Sequence, residues 1–125
     1  MTHWIGRWLM GVALLHSAIA IAVYSKTIVS IWQAGVFNTV AGDPVIGAVV
    51  WSLLFGCVAF NGGLSVNALE SASIPVPKTL GSCLLALAIV GVILVPVSGF
   101  WLLLPVAFTV LTRRTTHPTP SPLPS

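Results

Sequence analysis

The side chains able to do chemistry in this chain are few, and His16 stands first among them. It lies deep inside an apolar run, residues 4–24, in which the other charged side chain is Arg7. At about 1.5 Å of helical rise per residue that run is about 30 Å long, the thickness of a bilayer's hydrocarbon core. An ionisable group near the middle of such a span is costly to hold and is therefore a candidate functional group. Imidazole needs little tuning to act as an acid or base near neutral pH. Its partners would have to be Asn61, Ser52, Ser17 or the indole of Trp51, because no carboxylate lies at a comparable depth. Asp43 and Glu70 both fall near interfaces, on opposite sides. Two readings therefore stay open. The plainer one makes His16 a neutral interhelical hydrogen-bonding group. The sharper one makes it an acid/base or ligand anchor, with Trp51 and Asn61 as fellow ligand-binding candidates.

Cys57 and Cys83 sit in apolar runs of their own. Counted from the outer end, His16 and Cys57 fall about 12 and 18 Å deep, and Cys83 and Asn61 about 24 Å. Cys57 and Asn61 share a helical face at i and i+4. Together these four residues describe a polar seam whose imidazole and thiols would suit copper or zinc. No two of them have the spacing of a metal motif, and four-coordinate closure is not evident. The expectation is no metal and no cofactor, with both cysteines packed as small hydrophobes. The chain contains no GxxxxGK[ST], HExxH, GxSxG or CxxC. Nucleotide, zinc-protease, serine-hydrolase and thiol-redox activities thus have no sequence support. Whether the protein is an enzyme stays open at this level.

The elements that position these residues follow from composition and periodicity. Of 125 residues, 57% are hydrophobic and 6% charged, against about 25% charged in a soluble domain. Mean hydropathy is +1.05. The net charge of +3 comes from sparse basic residues at segment ends, which is no nucleic-acid footprint. Four apolar segments, at about 4–24, 45–66, 78–95 and 99–112, predict an all-α antiparallel bundle of four transmembrane helices. Asp43-Pro44 is a helix start, with Asp as N-cap and Pro at the first helical position. Pro105 lies inside the fourth segment and predicts a kink there. Between the first two spans, Ile28, Ile31, Trp32, Gly35 and Val36 share one face and predict an interfacial amphipathic helix. Small residues recur at four-residue spacing (Ala13 and Ser17, Ala18 and Ala22, then Ala48, Ser52 and Gly56). Such ridges let helices approach closely in lipid. Glu70 is expected to meet Lys78 across the short turn between the second and third spans.

Arg7, Lys78, Arg113 and Arg114 fall on one side of this topology and Lys26 on the other. The positive-inside rule then places both termini in the cytoplasm of a multi-pass inner-membrane protein. The domain would cover 1–112, followed by a Pro/Ser/Thr tail over 113–125 that has no apolar surface to bury and is expected to be disordered. A cleaved signal peptide is the competing reading of the N-terminus. The run is long for an h-region, and Trp4 and Trp8 look like interface anchors.

A tryptophan-rich start with an internal histidine (WIGRWLMGVALLH) is followed by IWQAG, by VVWSLLFG and by PVSGFWLLLP. Together these resemble a family of small four-helix bacterial membrane proteins of unknown function. The resemblance implies no activity, but marks His16, Trp51 and the 96–105 segment as positions to test first. The expected role is helix–helix association, as a homo-oligomer or an accessory subunit of a larger membrane complex. The alternative is a membrane-embedded enzyme or binder of a small lipophilic molecule that uses His16. The bilayer is the one partner common to both, and no nucleic acid is expected.

Overall fold

A computed structural model describes residues 3–113. The tail expected to be disordered lies outside these residues, apart from Arg113. The described chain is all-α, with no strand. Its helices are α1 (Ile5–Val23), α2 (Ser25–Ala34), α3 (Pro44–Ser71), α4 (Lys78–Leu94) and α5 (Leu104–Thr112), with a 3-10 helix over Gly99–Leu103.

α1 and α3 are long and apolar enough to cross a membrane, and only 22% and 17% of their apolar windows are buried inside the protein. The core helix of a soluble domain hides most of such a window. These two expose it. α3 starts as the sequence dictates: the Asp43 carboxylate accepts from Val45 N–H at 2.8 Å and Ile46 N–H at 3.4 Å, with Pro44 in the first turn. It then runs unbroken through Asn61-Gly62-Gly63 to Ser71. At about 1.5 Å per residue it is about 42 Å long, more than a hydrocarbon core requires.

The α1–α3 contact is antiparallel and unusually close, and its spacing differs from the expected ridges. Gly6, Ala13 and Ala20 are buried on α1, every seventh residue. On α3 the matching series is Val49, Gly56, Gly63 and Glu70. A side chain at Gly6 would strike the backbone of Asn67, one at Gly63 would meet Met10 and one at Gly56 would meet Ser17. A seven-residue repeat keeps two slightly coiled helices in register along their length. Ala18, Ala22 and Ala48, by contrast, are exposed. Seven-residue spacing, not four, makes the seam.

α4 folds back on the 3-10 helix and α5 in the same manner. Gly81 admits Val110, and Gly91 admits the ring of Phe100. Pro105 does not kink a continuous fourth helix. It lies in the first turn of α5, after the 3-10 helix has closed the hairpin. A 3-10 turn would offer the N–H of residue 105 to the Leu102 carbonyl, and proline has none. The Trp8 indole donates to that carbonyl instead, at 2.9 Å.

The two helix pairs meet through α1, which touches the 3-10 helix and α5, whereas α3 and α4 make no close approach. Their shared core lies at one end: Ile5, Val66, Val76, Val106 and Val110 are buried together. Glu70, 3% exposed, closes that end. It accepts the Gly6 N–H at 3.0 Å and pairs with Arg113 at 3.4 Å, not with Lys78. α2 continues from α1 after one non-helical residue, Tyr24, and has no buried residue. It ends at Gly35, whose φ of +85° suits glycine.

Candidate functional site

Because α3 and α4 make no close approach, a cleft of about 1030 Å³ remains between them, floored by α1. Along α1 it runs from Leu9 to Tyr24, about 22 Å at the rise of an α-helix. Its walls are Phe55, Val58 and Ala59 of α3 and Leu80, Leu84 and Leu87 of α4, with residues 95–103 completing the lining. No charged side chain lines it. Polar side chains line it at Tyr24 and Ser98, and at His16 and Ser52 midway along α1.

His16 reaches the cleft because α1 turns it there, just beside the Ala13 and Ala20 seam. Its Nε2 lies 3.2 Å from the Ser52 carbonyl oxygen and 3.3 Å from Ser52 Oγ. The ring meets Phe55 edge to face, with centroids 5.7 Å apart and planes at 77°. We assign the hydrogen to Nε2, because both Ser52 oxygens can then accept it, whereas the opposite tautomer sets a ring lone pair against the carbonyl oxygen and bonds Ser52 Oγ alone. Nδ1 has no hydrogen-bond partner among the described residues. The site thus combines a long apolar volume with one histidine whose second nitrogen is unspent.

The other candidates fall elsewhere. The Trp51 side chain is 70% exposed and does not line the cleft. The aromatic partner of His16 is Phe55, four residues further along α3. Asn61 is also outside the cleft, and its Nδ2 donates to the Cys57 carbonyl at 3.0 Å, one turn back on its own helix. Cys57 and Cys83 are exposed free thiols rather than buried small hydrophobes, and the seam of His16, Cys57, Asn61 and Cys83 does not form. No group of three metal-ligating side chains occurs among the described residues. Ser52 was visible as a partner from its depth. Phe55 carried no signal beyond its place in an apolar run.

A family of unknown function (DUF6463) matches residues 1–117. The chain belongs to that family. No curated protein and no solved structure matches it. The family brings no activity to this site, so the reading rests on the cleft itself.

Proposed function

We propose that this protein is a multi-pass protein of the cell inner membrane that binds a small lipophilic molecule in the cleft between α3 and α4. Four crossings are proposed, by α1, α3, α4 and the shorter hairpin arm of 3-10 helix and α5, with both termini cytoplasmic. α2 would lie in the opposite interface. The observation that carries the reading is the cleft: about 1030 Å³, apolar and uncharged, with one polar pair at mid-length. Ligand sites are concave, largely preformed volumes lined by apolar groups with a few placed polar ones. Of the small residues that motivated a role in association, Gly56 and Ser17 face each other within the chain, whereas Ala18, Ala22 and Ala48 are exposed and form no such cleft. His16 has no carboxylate partner among the described residues, so binding is favoured over catalysis.

Gly62 offers a clean test. It lines the cleft, and a side chain there would meet nothing within 4 Å. Gly62→Leu adds bulk to the cleft while replacing a poor helix former with a good one. In membranes, a photoreactive alkyl probe should label Phe55 and Leu84 in the natural protein and label them several-fold less in the variant. Equal labelling of the two proteins would overturn the proposal.

A further inference from the structure

We infer that the molecule taken up by the cleft is an elongated, uncharged-chain lipophile carrying an O–H group, a long-chain alcohol or carboxylic acid, whose hydroxyl hydrogen is donated to Nδ1 of His16. The inference rests on the cleft being a binding site and names the chemistry that it selects.

Three observations converge on this class. The cleft is about 22 Å long by the rise of α1 and has no charged side chain along it. A chain fits that shape, and a phosphate or ammonium headgroup inside it would be desolvated without a counter-charge. The polar pair sits midway, seven residues from Leu9 and eight from Tyr24 along α1, so about 10 Å of apolar cleft extends on either side. A chain that ends in a polar group at His16 fills one of these arms. Finally, with the hydrogen assigned to Nε2 and held by Ser52, Nδ1 is left as an acceptor. An acceptor in a low-dielectric site selects a donor, because a ligand without one leaves the nitrogen unpaired. Esters, ethers and ketones bring only acceptors and do not satisfy it. An alcohol donates its hydrogen outright. A carboxylic acid in its protonated form donates in the same way.

Competition against a photoreactive dodecanol, with the full chain in lipid vesicles, tests this. Unlabelled dodecanol and lauric acid should displace the probe from Phe55 and Leu84 roughly three- to tenfold better than methyl laurate or dodecane, the range of one net hydrogen bond. In His16→Phe, which keeps an apolar ring at the position, the four competitors should become equal while labelling persists. Helical circular dichroism and monodisperse elution of the variant establish that it is folded. If it does not fold, Ser52→Ala, which retains the Ser52 carbonyl, should keep the natural ranking. Four equal competitors on the natural protein would overturn the O–H selection and leave cleft binding standing, as would a ranking led by methyl laurate. No labelling of the cleft by any chain would overturn both. Dodecanol displacing strongly and lauric acid not at all would overturn the carboxylic-acid half of the class and restrict the ligand to alcohols.

Discussion

At the scale of single residues, two polar side chains serve different ends. His16 has one nitrogen fixed and one open, inside a cleft. Glu70 has both carboxylate oxygens used, at the packed end. α1 has no side-chain cap of its own, since Trp4 precedes it. The Glu70 carboxylate supplies one from another helix by accepting the Gly6 N–H, where the positive end of the α1 dipole favours an anion. Glu70→Ala leaves that N–H and Arg113 without this acceptor and is expected to cost about 1–3 kcal/mol. Glu70→Gln keeps a neutral acceptor and should lose less than half as much. Thermal unfolding in detergent, followed by helical circular dichroism, measures both. An unchanged midpoint for Glu70→Ala would contradict the capping role. His16 was legible because an imidazole deep in an apolar run is rare in any setting. The partners of Glu70 were not, because one lies 64 residues away and the other 43. Local spacing pointed to Lys78 instead.

At the scale of elements, helix existence was legible and helix facing was not. Apolar length marked α1 and α3, and Asp43-Pro44 marked where α3 begins. The four-residue ridges held only in part: Ala13, Ser17 and Gly56 lie at the α1–α3 contact, but Ala18, Ala22 and Ala48 are exposed. Alanine and serine cost little wherever they fall, so their spacing alone does not say which face is buried. Glycine under a neighbouring backbone does say so. Gly6 and Gly63 sit against Asn67 and Met10, the latter with 2.8 Å between an added Cβ and the Met10 backbone nitrogen. Gly6→Ala or Gly63→Ala must push the helices apart, at about 1–3 kcal/mol. Gly11 lies on the same helix as Gly6, yet an added Cβ there meets nothing within 4 Å. Gly11→Ala should stabilise the protein by roughly 0.5–1 kcal/mol through helix propensity. Resistance to sodium dodecyl sulfate, titrated against a mild detergent, should therefore fall for the first two and hold or rise for the third. A common direction for all three would refute the seam. The same geometry reassigns Gly56, which faces Ser17 within the chain: a bulky side chain there would part α1 from α3 before it could affect contact between copies.

At the scale of the whole molecule, the cleft and the charge distribution follow from one asymmetry. Glu70, Arg113, Gly6 and the Ile5–Val110 core gather at one end, so the two helix pairs are fastened there. The cleft left few traces in the sequence, because it arises from a contact that α3 and α4 do not make. The same end carries Arg7 at the start of α1, Lys78 at the start of α4 and Arg113 after α5, whereas Lys26 lies beyond the far end of α1. In a membrane, excess Lys and Arg near the span ends stays on the cytoplasmic side, so the proposed topology sets the fastened end toward the cytoplasm. Single cysteines read this directly, in a background with Cys57 and Cys83 replaced by alanine. Lys26→Cys should react with a membrane-impermeant maleimide in intact cells. Thr79→Cys, beside Lys78 without removing it, should react only after the membrane is opened. The reverse pattern would invert the protein and turn the fastened end away from the cytoplasm. Reaction of both sites in intact cells would mean that α3 does not cross at all, and a binding cleft open to lipid would lose its setting.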